Sequence, residues 1–347
     1  MSPSRWEKIL NERDWLLADG ATGTNYFAMG LQSGDSPELW NIDYPDRVAS
    51  LHRQFVESGA DIILTNSFGG SAYRLKLHQA ESRVRELNYA AAQIARGVAD
   101  VSGRQVIVAG SIGPTGEILE PIGSLSISDA TAAFEEQAAA LVEGGVDIIW
   151  LETMSSTEEL QAAGVGAAKA GAPIVATMTF DTNGSTMLGV PPAQLVDIYR
   201  ETVPRLAAYG ANCGVGAADL IGTIAAMRRH ASPQDILIAK GNCGIPEFVD
   251  GEIKYSGTPE LMAEYACLAR DIGARIIGGC CGTTPMHLTA MRDALVAHQV
   301  RTAPEIDTIV EILGPVTAGT RAVCASTGSL PETDASSRRS RNSRRRK

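Results

Sequence analysis

Gly59-Ala60-Asp61-Ile62-Ile63 recurs as Gly145-Val146-Asp147-Ile148-Ile149 and as Gly273-Ala274-Arg275-Ile276-Ile277, with Gly171-Ala172-Pro173-Ile174-Val175 as a looser copy. In each copy the glycine follows a segment of helical periodicity, where a left-handed C-cap favours a residue without Cβ. The β-branched pair after it opens a buried strand. The pentapeptide is therefore an α-to-β joint. Collecting the strands of this kind gives residues 16–19, 62–66, 106–111, 148–152, 174–179, 208–212, 236–240 and 276–279. Helical patterns lie between them, such as Val48, Leu51 and Phe55 after Asp46, or Leu261, Tyr265 and Leu268 after the Thr258-Pro259 cap. Eight short buried strands alternating with helices predict an α/β fold of the (β/α)8 TIM barrel type, with a doubly wound open sheet as the alternative.

The chain has 347 residues, 44% of them hydrophobic and 20% charged, as expected for a globular protein. Periodicity fades after about Arg301, so residues 1–300 are assigned to the barrel and 301–347 to a disordered Ser/Arg-rich tail, with one short helix allowed between Ala303 and Val316. The net charge is −10, and the last eleven residues carry six Arg and one Lys, which leaves −17 for the remainder. An acidic body of this kind argues against nucleic acid as a partner. The N-terminal MSPSRWEKIL has no apolar signal region and no long apolar run follows, so the expectation is a cytoplasmic protein with no membrane partner. In that compartment six cysteines are expected to be reduced, and a cysteine cluster to bind metal.

The eighth strand runs into Gly278-Gly279-Cys280-Cys281-Gly282-Thr283-Thr284-Pro285, and the sixth into Asn212-Cys213-Gly214. Neighbouring cysteines inside a strand would face opposite ways, but between flanking glycines the backbone can leave the pleat and aim both sulfurs at one point. The competing reading makes all three cysteines small buried hydrophobes. Catalytic residues of a (β/α)8 barrel gather at the C-terminal ends of the strands, where Cys213, Cys280 and Cys281 all fall. Asp19, Asn66, Ser111 and Glu152 end other strands on the same face, although helix caps and turns also use such residues.

In order along the chain, Asp19-Gly20-Ala21-Thr22-Gly23-Thr24, Thr65-Asn66-Ser67-Phe68, Gly110-Ser111-Ile112-Gly113-Pro114-Thr115-Gly116, Glu152-Thr153, Asn212-Cys213-Gly214 and the double-cysteine motif resemble the homocysteine S-methyltransferase family. Within it the similarity is greatest to bacterial betaine-homocysteine methyltransferases. The resemblance covers roughly residues 10 to 300. It implies a barrel that holds one Zn2+ through Cys213, Cys280 and Cys281, with homocysteine sulfur as the fourth ligand. It also implies that Asp19 and Glu152 hold the homocysteine ammonium and that the backbone amides following Asp19, from Gly20, Ala21 and Thr22, lie near its carboxylate. The partners are then homocysteine and a small methyl donor. A homo-oligomer is compatible with the resemblance.

Betaine is the expected donor, and its quaternary ammonium would need aromatic faces. Trp40 and Tyr73 follow strands one and two and are the candidates, with packing at the barrel mouth as the alternative for each. Gly69 and Gly70 stand after Phe68 where the animal betaine enzymes carry a tyrosine. S-methylmethionine, dimethylsulfoniopropionate or a methyl-corrinoid protein are the other donors in view. Cys243, in Lys240-Gly241-Asn242-Cys243-Gly244, is read either as a spare thiol near the metal or as a replacement for a small apolar residue. His287 is expected to cap or pack, and neither Cys267 nor Cys324 is given a role. A zinc hydrolase and a non-catalytic RNA-binding regulator are the rival functions. Hydrolytic zinc favours His and carboxylate ligands, and the acidic body disfavours RNA.

Overall fold

The computed structural model describes residues 4–201, 206–249 and 252–325. Eight parallel strands form the barrel: β1 (Leu16–Leu17), β2 (Ile62–Leu64), β3 (Ile107–Ile112), β4 (Ile148–Met154), β5 (Ile174–Met178), β6 (Ala208–Cys213), β7 (Leu237–Gly241) and, after a hairpin of β8 (Pro246–Val249) and β9 (Glu252–Tyr255), β10 (Ala274–Gly279). The sheet order is β1-β10-β7-β6-β5-β4-β3-β2. A parallel bridge between Ala18 and Ile62 joins the two ends, so the sheet closes and the open-sheet alternative is excluded.

The joints behave as their sequence predicts. Gly59, Gly145, Gly171 and Gly273 have φ of +108°, +101°, +81° and +95°. The aspartate of the first two copies has a further task. Asp61 Oδ2 accepts the Leu17 N–H at 3.0 Å and Asp147 Oδ2 accepts the Val108 N–H at 2.8 Å. Arg104 and Arg96 neutralise these carboxylates at 3.1 and 2.8 Å. Each joint thus stitches its strand to a neighbour at the barrel's lower rim.

Alternation along the strands sorts the core into two shells. Leu16, Ala18, Ile62, Leu64, Ile107, Ala109, Ile148, Trp150, Val175, Ala208, Ile238 and Ile276 fill the barrel, and Trp6 and Ile9 of the helix Arg5–Glu12 join them. Leu17, Ile63, Val108, Ile149, Leu151, Ala176, Ala211, Ala239 and Ile277 face the surrounding helices. Two residues beyond the inward apolar set, the same parity reaches Ser111 on β3, Glu152 on β4 and Lys240 on β7, and on β6 it reaches Asn212 four residues beyond Ala208, past Gly210. The barrel interior therefore changes from apolar to polar toward the C-terminal ends of its strands.

Two helices, Ile306–Leu313 and Ala318–Ala325, lie within the stretch assigned to the tail. Asp219 Oδ1, on the helix Ala217–His230, accepts from Thr317 N at 3.0 Å and from the Thr317 and Thr320 hydroxyls at 2.8 and 2.6 Å. Cys324 is buried against Gly222 of that helix. The packed chain therefore runs past residue 300 to 325, and the rest of the expected tail, 326–347, lies outside the described residues. No described helix is long and apolar enough to cross a membrane.

Candidate functional site

The sulfurs of Cys213, Cys280 and Cys281 lie within 4.8 Å of one another, with Cys213 and Cys281 at 3.8 Å. Zn–S bonds of about 2.3 Å in tetrahedral geometry require S···S distances of about 3.8 Å. The three thiols therefore fit a four-coordinate zinc with one open position.

Local bonds explain how adjacent cysteines reach one point. Cys280 N–H donates to Gly241 O at 2.6 Å, and Cys281 is clamped by its N–H to Asn242 Oδ1 at 3.0 Å and its carbonyl to Cys243 N at 2.9 Å. Gly282, at φ +80°, then turns the chain against Tyr255, where an added Cβ would fall 2.3 Å from the ring. Asn242 also donates to Gly214 O at 2.8 Å, tying the two cysteine loops together. Cys213 and Thr153 are both non-glycine residues at φ +61°, a conformation kept only when surroundings enforce it. Asn212 enforces it. Its Oδ1 accepts Thr153 N–H at 2.8 Å and its Nδ2 donates to Thr153 Oγ1 at 2.7 Å and toward Cys280 Sγ at 3.8 Å.

Within the cluster Cys213 and Cys281 share a hydrogen bond at 3.8 Å in which either sulfur can donate. The contacts among the three thiols hold Cys281 below, and Cys280 and Cys213 above, the ordinary thiol range. A bound cation would favour the thiolate form of all three.

Cys243 stands outside this group. Its Sγ donates to Gly257 O at 3.0 Å and lies 3.1 Å from His287 Nε2. His287 Nδ1 accepts Thr284 N–H at 3.1 Å in a capping box that starts the helix Pro285–Ala297, which leaves the ring proton on Nε2, toward Cys243 and Gly257. The capping role expected for His287 is thus the observed one. Of the two readings of Cys243, its contacts favour the buried small residue.

Beside the thiols is a buried charged pocket. Asp19 is 1% exposed; its Oδ2 accepts the Leu64 N–H at 2.7 Å, while Oδ1 accepts no hydrogen bond from the described residues. Glu152 accepts from the Ser111 hydroxyl. Burial pushes Asp19 up to about 6 and Glu152 up to about 7, against the pull of Lys240. Lys240 was absent from the sequence-derived site, yet it lies at the pocket's centre. It is 3% exposed, with Nζ 3.4 Å from both Asp19 Oδ1 and Gly20 O. Burial works against its charge, but Asp19, Cys280 and Glu152 outweigh it and hold the ammonium above its ordinary range. Its position two residues past Ile238 on the inward parity was the signal.

The expected amide cradle needs one correction. Ala21 N–H is already taken by Thr283, at 3.2 Å to its carbonyl and 3.0 Å to its hydroxyl, so it is not free for a carboxylate. The Gly20 and Thr22 amides make no hydrogen bond among the described residues, and a Cβ at Gly20 would lie 2.9 Å from Phe55. Asn66 is turned to structure, donating to Pro37 O and Asn41 Oδ1. Trp40 is also a correction. It is 5% exposed, packs at 5.3 Å on Tyr26 and 5.4 Å on Tyr44, and carries the Arg47 guanidinium 5.0 Å from its ring. A buried ring already facing one cation is not a free cage wall. Tyr73, in the short helix Ala72–Leu75, is half-buried against the core.

The homocysteine S-methyltransferase family model matches residues 16–295. Methionine synthase of Mycobacterium tuberculosis is 32% identical over 305 residues, which are 83% of this chain and 25% of that protein. Methionine synthase of Mycobacterium leprae is 29% identical over 307 residues, again 83% of this chain and 25% of the relative. The chain thus spans about a quarter of the length of these curated relatives. Among solved structures, the metallated form of the homocysteine methyltransferase MmuM from Escherichia coli superposes with a TM-score of 0.70 at 22% identity, covering 83% of this chain and 99% of that one. Its oxidized form gives 0.68 at 23% identity, covering 84% and 99%. These two show the same fold. With the family model spanning most of the chain and the motif residues gathered at one end of the barrel, this protein belongs to the homocysteine S-methyltransferase family.

Proposed function

We propose that this protein transfers a methyl group to the sulfur of homocysteine, giving methionine, at a zinc site formed by Cys213, Cys280 and Cys281. The convergence of three thiols beside the two buried carboxylates carries the reading. Zinc, when bound there, would acidify the acceptor thiol and keep it a thiolate at neutral pH. Three sulfur donors leave such a metal a weak Lewis acid, which suits a thiolate nucleophile better than the acidified water of a hydrolase.

The chain's own residues orient the acceptor. Asp19 Oδ1, with an unused acceptor position, and Glu152 hold its ammonium, while the Gly20 and Thr22 amides are available to its carboxylate. Anchoring the amino-acid end fixes the sulfur in line with an incoming methyl carbon, and alignment with exclusion of water supplies the catalytic gain. No general base acts once the thiol proton has left.

Betaine is the proposed donor, with dimethylglycine as its product. With Trp40 packed into the core, Tyr73 remains as the aromatic face for its cation. The test is to incubate the zinc-loaded protein with homocysteine and, separately, betaine, S-methylmethionine, dimethylsulfoniopropionate or a methyl-corrinoid protein, and to quantify methionine by mass spectrometry. Methionine from betaine supports the full reading. Methionine from another donor retains the zinc site and discards betaine. None from any of them refutes methyl transfer to homocysteine.

A further inference from the structure

Lys240 calls for an explanation that an ammonium-binding pair of carboxylates does not supply. Strands β1 and β7 are separated by β10 in the sheet, so Lys240 reaches Asp19 and Gly20 from a strand that does not touch theirs. Both approaches are 3.4 Å, long for an ammonium donor, and Asp19 Oδ1 stays without a hydrogen bond. A buried ion pair built for stability closes its bonds; this one leaves donor and acceptor capacity for a third group. Glu152 and the Cys280 sulfur also feel the same ammonium.

We propose that Lys240 is the fixed cation of the amino-acid pocket: it offsets one of the two carboxylates, Asp19 and Glu152, so that the pocket keeps a single uncompensated negative charge and selects an acceptor thiol bearing one ammonium group. This rests on the amino-acid pocket described under Proposed function. Two buried carboxylates facing one substrate ammonium would leave an unpaired charge at high desolvation cost. With Lys240 the charges match one for one when the acceptor is seated. The lysine also repels the substrate ammonium from the side it occupies. The ammonium is thereby confined to the carboxylate faces that Lys240 leaves open, and the sulfur is directed toward the thiols.

The deciding experiment measures binding, so it needs no methyl donor. Homocysteine and 4-mercaptobutanoate, the same thiol acid without the ammonium, are titrated calorimetrically into the zinc-loaded protein. The wild type is compared with Asp19→Asn, Lys240→Met and the double variant, with zinc content and thermal unfolding as folding controls. The wild type should prefer homocysteine by about tenfold or more, the value of a hydrogen bond to a charged group. Asp19→Asn leaves Lys240 over-compensating, and the preference should shrink about tenfold. Adding Lys240→Met to it restores one net negative charge through Glu152, and the preference should return to within about threefold of wild type, a compensating non-additivity. A double variant that discriminates no better than Asp19→Asn would overturn the role of Lys240, because a merely structural lysine cannot rescue. A wild type that binds both thiols equally would overturn the amino-acid pocket itself. If Lys240→Met alone fails to fold, the comparison of Asp19→Asn with the double variant still decides.

Discussion

Replacing Asn212 by alanine should loosen the thiol cluster without touching a sulfur. The side chain is fully buried and holds Thr153 at both its N–H and its hydroxyl. Its loss strands the half-buried Thr153 N–H, at about 1–3 kcal/mol. It also removes the restraint that keeps Thr153 and Cys213 at φ +61°, each a conformation costing about 1–3 kcal/mol. The lost bond to the Thr153 hydroxyl adds about 0.5–1.5 kcal/mol and relaxation of part of the strain offsets some of the total, so the net loss should be about 1–3 kcal/mol; at about 2 °C per kcal/mol for a chain of this size, Tm should fall by about 2–6 °C. Relaxation moves Cys213, and zinc affinity measured by chelator competition should drop roughly tenfold, as for other supporting residues of metal sites. The mechanism has a sharper test in a Thr153→Gly background, where glycine accepts positive φ freely. There the backbone holds its positive φ without Asn212, and Asn212→Ala should lower zinc affinity by less than about threefold. An equal loss of zinc affinity in both backgrounds, or a stability loss below about 0.5 kcal/mol in the wild type, would refute the argument that Asn212 enforces the strained pair.

Cys213→Ala, Cys280→Ala and Cys281→Ala should each abolish stoichiometric zinc after gel filtration, whereas Cys243→Ala should retain it, since Cys243 is engaged by Gly257 and His287; metal retained in any of the first three would count against the site. Methionine, which has the amino-acid end but no titrating thiol, should bind less tightly as pH falls from 8 to 5. Asp19 at about 6 and Glu152 at about 7 take up protons in that range, and only their ionised forms hold an ammonium. Binding independent of pH there would remove both carboxylates from the pocket. The same raised values mean that the ligand-free fold is favoured by protonation, so their stabilising contribution is present at pH 4 and lost as pH rises through 6 to 7. Truncation after residue 325 should leave Tm unchanged, while truncation after 301 should lower it by several degrees, because Asp219 loses Thr317 and Thr320; equal Tm values would show the two C-terminal helices to be dispensable.

Much of the barrel was legible because parallel strands covered on both faces are continuous β-branched runs, and because each glycine at an α-to-β joint marks a helix end. The three cysteines could be brought together from topology alone, since strands six and eight of the barrel flank strand seven. Lys240 carries a weak sequence signal, because a lysine at the end of an apolar run equally suits the chain's exit to solvent. Counting in twos from Ile238 would have placed it inside. The hairpin of β8 and β9 has its own sequence signal, Asp250-Gly251 between Phe248-Val249 and Ile253-Lys254-Tyr255. Trp40 failed as a cage wall for a different reason. Sequence position places a residue near the barrel mouth, but only packing says whether its ring faces the opening or the core, and Tyr26, Tyr44 and Arg47 take up its faces.

The two halves of the thiol cluster are distant in the chain, on β6 and just beyond β10, and β10 is the strand that seats itself between β7 and β1. A chain emerging from its N-terminus therefore has no partial version of the cluster to offer a passing ion: Cys213 waits alone until the last strand is in place. Under the proposed zinc site, capture of the metal then waits on completion of the barrel, since Cys213 gains its two partner thiols only when β10 is seated.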